Sequence, residues 1–499
     1  MNLIPDRIPE TGDYYCTWAT QARIRPMEMG DDAKDVRENM NEDVLFGERG
    51  ILSEYMKEIR PDLIALLDDG WDVPPGTRNP ENTGRFGSLE PDPARFPSFT
   101  GTPEERLGKI CRKISSLGWR GTGVWVACQM PFADGQPPET PDKAREYWED
   151  RAAMCSRAGI SYWKVDWGRM SENADYRVML TESVRKRAPG MMIEHYPRGM
   201  YPPFGKYVCG EDRMIDDEIM YNRRILENSD FLRTYDVLGE FSTAITMNRV
   251  GLLAGSGLCA SDRCRGILNV EDSVYLGAAL GCSVGVMRHQ RFENGRERES
   301  TARYAEVVRA VRWHRVAPPF AFRSDECHVS DRLLTDSYAY PPREPDVWPF
   351  VAGKTMSFRA PEAISRRCEL PRAEGDAIPF LAASKNPLTG AYSIAALDRT
   401  TGGKTLEYLP AKVSAYAGEP CDIGVFGRYE TLTLEFDRDI SGKRVLMQDI
   451  FSDSAEDVTA GVRRVSGRLV IPGELIDRIC DRHDPGDTSA PGIVIKLAD

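Results

Sequence analysis

Residues 123–127 read GVWVA, residues 140–159 read TPDKAREYWEDRAAMCSRAG, and residues 160–166 read ISYWKVD. The first is a short apolar run with strand character. Thr140-Pro141 then supplies an N-cap followed by proline at the first helical position. Ala144, Tyr147, Trp148, Ala152 and Cys155 recur at helical spacing. Gly159 closes the helix, because glycine accepts the left-handed conformation of a C-terminal cap. A second strand begins at once and ends on Asp166.

The same unit repeats on either side. Upstream, Thr102-Pro103-Glu104-Glu105 forms a capping box with proline at the first position. Leu107, Ile110, Cys111, Ile114 and Leu117 line one face of that helix, and Gly118 ends it. Downstream, a helix with Tyr176, Met179, Leu180 and Val184 on one face leads to the strand Met191–Tyr196. Strands alternating with helices imply βαβ units and a parallel sheet. Strand candidates lie near Tyr14–Trp18, Leu63–Asp68, Gly123–Ala127, Ile160–Asp166, Met191–Tyr196, Phe231–Asp236, Gly257–Ser261 and Cys282–Met287. That set fits an α/β fold, a (β/α)8 TIM barrel. Pattern alone leaves a doubly wound sheet open.

After about residue 315 the helical period fades. Thr431–Phe436 (TLTLEF) and Gly492–Leu497 (GIVIKL) alternate with a period of two. The expected division is a barrel over 1–315, a connecting or insert region over 316–385, and a C-terminal antiparallel β-sandwich-like domain over 386–499. A chain of 499 residues exceeds the roughly 250–300 at which one core stops growing, so two or more domains are expected.

The net charge of −12 argues against nucleic acid or an anionic membrane as partner and is compatible with a neutral carbohydrate. No run of 18 apolar residues appears, and the start lacks a signal peptide's charged and apolar regions. A cytoplasmic location is the expectation. The twelve cysteines form no CxxC pair and the five histidines no HExxH cluster. No metal site and no organic cofactor are therefore expected. No sequence feature shows a homo-oligomer.

In a parallel barrel the strand C-termini converge on one face, where active sites are built. The polar residues ending the predicted strands are Asp68, Asp69, Lys164, Asp166, Glu194, Arg233 and Asp236. A group of carboxylates without histidines suits glycoside hydrolysis, which needs one carboxylate to attack the anomeric carbon and another to protonate the leaving oxygen. Trp71, Trp125, Trp163 and Trp167 flank the same ends and suit stacking on a sugar. Each feature also has a structural explanation. Asp-Asp-Gly makes a turn, Lys164 with Asp166 and Arg233 with Asp236 make ion pairs, and tryptophans fill cores.

Ile64–Trp71 (IALLDDGW), Leu89–Ser98 (LEPDPARFPS) and Tyr162–Trp167 (YWKVDW), in that order, resemble glycoside hydrolase clan D. Family 27 α-galactosidases carry a Pro-Asp-Pro-x-Arg-Phe-Pro-Ser segment, and family 36 carries Asp-Asp-Gly-Trp. Glu194–Pro197 with Met200–Phe204, and Leu232–Val237, are similar to the family 27 segments facing the sugar 2-position and carrying the acid/base. The resemblance implies a retaining α-galactosidase-like enzyme with Asp166 as nucleophile and Asp236 as acid/base. It implies that Asp68 and Asp69 bond sugar hydroxyls, that Lys164, Arg233, Trp71 and Trp18 also serve the sugar, and that Glu194 lies near the 2-substituent. Three departures stand out. Two residues stand between Arg233 and Asp236 where the family usually has three, Tyr14–Trp18 matches only loosely, and the family's Asn-Asp-Pro-Asp is reduced to Ser261-Asp262. Asp262 is the remaining candidate there. A transglycosylase using the same two aspartates, or a non-catalytic sugar-binding barrel, is compatible with the same residues. So are β-L-arabinopyranosides or α-N-acetylgalactosaminides as substrates. The acid- and arginine-rich stretch 210–230 is expected to shape the mouth.

Overall fold

The computed structural model describes residues 1–24, 34–132, 140–196, 216–234, 242–255, 267–271, 273–287, 303–342, 352–401, 406–480 and 487–499. Eight parallel strands close into a barrel in sequence order. They are β1 (Tyr14–Cys16), β2 (Ile64–Leu67), β3 (Gly121–Val126), β4 (Ile160–Val165), β5 (Met192–His195), β6 (Phe231–Arg233), β7 (Ile267–Glu271) and β8 (Ser283–Val286). Closure is made by β1 against β8, with Tyr14 opposite Gly285. The barrel reading holds over the doubly wound alternative because an open sheet would leave those two edges unpaired.

The helix signals act as their chemistry requires. Thr102 and Glu105 form both bonds of the capping box at the start of the helix Pro103–Ser116. Thr140 caps the helix Pro141–Ala158, and Gly159 closes it at a φ of 98°. One strand expectation is corrected. The seventh barrel strand is Ile267–Glu271, not the expected Gly257–Ser261, which lies outside the described residues. Its sequence, ILNVE, breaks the apolar run with Asn269, which the barrel turns inward (see below). Within the stretch 210–230, residues 210–215 lie outside the described residues, and Asp216–Asn228 is a helix of the barrel's outer ring. Its Tyr221 hydroxyl donates to the Ser171 carbonyl at 2.7 Å.

The C-terminal domain stacks an eight-stranded sheet on a five-stranded one. Leu432, Leu434 and Phe436 of the five-stranded sheet share a core with Ile394, Val425, Ile493 and Ile495 of the other. The sandwich expectation holds, but the sheets are mixed rather than purely antiparallel. Tyr392–Leu397 pairs parallel with Ile423–Gly427, and Lys412–Gly418 pairs parallel with Thr431–Phe436. The eight-stranded sheet takes in strands from Cys327–Val329 onward. Its strand Tyr392–Leu397 is buried throughout, because the outer face packs on the barrel. There Trp313 and Tyr275 meet Phe426 with ring centroids 6.0 and 5.0 Å apart. Among the described residues no helix is long and apolar enough to cross a membrane.

Candidate active site

Asp166 follows the last residue of β4, at the C-terminal end of the barrel. Its backbone is fixed from several sides. Its N–H donates to the Val126 carbonyl at 3.0 Å, and Arg177 donates to its carbonyl at 2.8 Å. The carboxylate is fixed as well. Trp125 Nε1–H donates to Oδ2 at 2.9 Å, and Arg233 Nη2–H donates to Oδ1 at 2.9 Å. Burial alone would raise its pKa. The Arg233 guanidinium, the Lys164 ammonium and the indole N–H outweigh that and hold the carboxyl below its ordinary value. Asp166 is therefore ionised at neutral pH.

The neighbouring carboxylates sit deeper. The Asp166 side chain keeps 17% of its surface exposed, against 5% for Asp68 and 3% for Asp69. Asp68 Oδ2 accepts from Lys164 Nζ at 3.1 Å and from the Cys16 thiol at 3.0 Å. Lys164 and Asp166 project inward together, two residues apart on one strand. Asp69 Oδ2 takes both Arg37 Nε and Nη2, at 2.9 and 2.8 Å. Burial nonetheless raises the Asp69 pKa, which Arg37 only partly offsets. Its Oδ1 is buried without a protein hydrogen bond among the described residues. Close by, burial and the charge of Asp69 push the Asp72 carboxyl up to about 7.

Glu194, on β5, lies inside the barrel at 1% exposure. Both of its oxygens are engaged, by Tyr162, Asn269, Tyr14 and Arg233. The expectation that Glu194 lies near a sugar 2-substituent concerns a face whose adjoining segment, 197–215, lies outside the described residues. His195, the next residue, faces the other way and bonds Thr181 at 2.7 Å. Burial and then Arg177 hold its pKa well below the ordinary value, so it is neutral.

The four tryptophans separate. Trp71 is fully buried and donates to the Trp125 carbonyl at 2.9 Å, which joins the β2 loop to β3 rather than to a ligand. Trp163 packs outward on Trp148, with centroids 5.8 Å apart. Trp125 is spent on Asp166. Trp167 remains partly exposed beside Asp166, with Phe86 4.8 Å and Trp125 6.2 Å from its ring. Trp18 is partly exposed too and packs on the barrel's inner cluster. Asp236 and Asp262 lie outside the described residues.

The structure thus brings together Asp68, Asp69, Lys164, Asp166, Arg233 and, below them, Glu194. Three of their partners, Cys16, Arg37 and Asn269, carry no expectation from sequence, and Trp125, expected to stack on a sugar, bonds Asp166 instead. Cys16 is legible from its inward strand position. Arg37 has no such signal, since it lies 32 residues from Asp69 in the connection between β1 and β2. Asn269 sits in the strand that was misplaced.

No family model matches the chain, and no curated protein matches it by sequence. Among solved structures, similar ones include a GH27 β-L-arabinopyranosidase from Geobacillus stearothermophilus, at 10% identity over 98% of this chain and 96% of that one, with a TM-score of 0.43. An α-amylase from Geobacillus thermoleovorans is 11% identical over 98% and 100%, with a TM-score of 0.44. A glucosidase from Croceicoccus marinus is 11% identical over 89% and 90%, with a TM-score of 0.34.

Proposed function

We propose that the chain is a retaining glycoside hydrolase acting on a terminal α-galactoside-like residue, with Asp166 as nucleophile. One observation carries the reading. Of the acids placed at the described barrel mouth, Asp166 combines an ionised carboxylate, a fixed direction and partial exposure, while Asp68, Asp69 and Glu194 are enclosed.

In the proposed reaction Asp166 attacks the anomeric carbon as the glycosidic C–O bond breaks. Asp236 gives its proton to the leaving oxygen. Asp236 then takes a proton from water, the water oxygen bonds the anomeric carbon, and Asp166 departs as carboxylate. Two inversions give net retention, which requires the two carboxyl groups about 5–5.5 Å apart. The assignment of Asp236 rests on the clan D resemblance of Leu232–Val237. Asp68, Asp69 and Lys164 are proposed to bond the sugar hydroxyls, for which Asp69 Oδ1 is an acceptor with no protein partner among the described residues. Trp18 and Trp167 are proposed to face the apolar side of the ring.

A panel of nitrophenyl glycosides tests this. The α-galactoside is expected to turn over, and Asp166→Asn to lose at least about 1,000-fold in kcat. Added azide should restore turnover in Asp166→Gly. Undiminished activity in Asp166→Asn would remove the nucleophile assignment.

A further inference from the structure

Beneath Asp166 the barrel holds a second carboxylate where such folds place branched aliphatic side chains. Glu194 Oε2 accepts from the Tyr162 hydroxyl at 2.7 Å and from the Asn269 amide. Its Oε1 accepts from the Tyr14 hydroxyl at 3.4 Å and lies 3.8 Å from Arg233 Nη1. Side chains from β1, β4, β6 and β7 thus converge on one residue of β5. The other terminal nitrogen of Arg233 meets Asp166. One guanidinium, itself 1% exposed, lies between two carboxylates.

A buried ion pair contributes little to stability against a hydrophobic filling of the same space. A carboxylate with four polar neighbours among the described residues inside a barrel therefore calls for a role other than packing. Glu194 offers a sugar less than Asp69 does, because each of its oxygens already meets two polar groups, whereas Asp69 Oδ1 has no protein hydrogen bond among the described residues. What remains is its charge, an ion-pair contact of 3.8 Å to Arg233 Nη1 rather than a hydrogen bond. We propose that Glu194 is a positioning residue that holds Arg233 from below and so sets the direction in which the guanidinium meets Asp166. The placement is independent of turnover. Only its consequence for rate rests on Asp166 being the nucleophile.

Glu194→Gln in the full-length chain tests it. The Trp125 indole N–H bonds Asp166, so its nuclear magnetic resonance signal, one of nine tryptophan signals, reports on that carboxylate without a substrate. In the ligand-free variant at neutral pH the Trp125 signal is expected to move while those of Trp148 and Trp163, on the far side of the strands, stay. Kinetically, kcat is expected to fall about tenfold with KM within about twofold. The loss should be the same on an aryl galactoside and on its 2-deoxy counterpart. An unmoved Trp125 signal, or a loss that vanishes on the 2-deoxy substrate, overturns the proposal. Glu194→Asp keeps the charge and withdraws it by one methylene. It should move the same signal by less and stands in if the glutamine variant does not fold. A wild-type chain that turns over no glycoside would refute the hydrolase reading, and the resonance measurement would still decide this one.

Discussion

Asp166 owes its readiness to two donors, Trp125 on the adjacent strand β3 and Arg233 on β6, two strands away. Trp125→Phe removes the indole N–H, one of the groups holding the Asp166 pKa down. The nucleophile must be ionised, so the acid limb of the kcat/KM profile should move up, by at most about one pH unit. A limb that stays in place would show that the bond does not tune the carboxylate. Asp72 titrates in the opposite sense. Its folded pKa, about 7, lies above the ordinary 3.8. Its stabilising contribution is complete below about pH 4 and is lost as pH rises to about 7. Asp72→Asn keeps an acceptor for the Gly87 N–H, 2.9 Å away in the wild type. It should flatten that slope and raise stability at pH 8 by about 2 kcal/mol, read from urea melts at several pH values. The strand-end acids were legible because strand endings and inward alternation are local properties. Their occupancy was not. That Asp69 is tied to Arg37, or Glu194 enclosed by Tyr14 and Asn269, depends on contacts distant in sequence.

At the scale of elements, the loop between β2 and β3 carries Phe86 against Trp167, and Gly87 lets it turn. Gly87 has φ +83°, and a Cβ there would lie 2.3 Å from the Gln129 carbonyl oxygen. Gly87→Ala should cost about 2 kcal/mol or more in thermal melts and lower kcat/KM by displacing the aromatic wall. Thr102→Ala breaks the capping box of an outer helix and should cost about 1 kcal/mol while leaving activity unchanged. The units flanking Asp166 were readable because Thr140, Pro141 and Gly159 mark their own ends. β7 was not, because Asn269 interrupts its apolar run to serve the barrel interior. In the C-terminal sheets alternation reveals which side chains point inward. It carries no mark of strand direction, so the parallel pairs were invisible.

The whole molecule is held by polar contacts across the face between barrel and sandwich. Arg309, on the barrel helix Tyr304–Trp313, makes two bonds of 2.8 Å to Asp449 of the eight-stranded sheet, and both side chains are 2% exposed. Arg309→Ala would leave Asp449 buried without that cation. A loss of about 3–5 kcal/mol is expected, with earlier proteolytic cleavage between the two parts. Unchanged unfolding would mean that the apolar contacts of Trp313 and Phe426 suffice. The central step can be tested on the intact protein with an activated fluoro-galactosyl donor that forms the glycosyl-enzyme faster than water clears it. Mass spectrometry of the trapped protein should show one added glycosyl group, and peptide mapping should place it on Asp166. A label on another residue, or turnover that leaves no covalent adduct, would contradict the assignment.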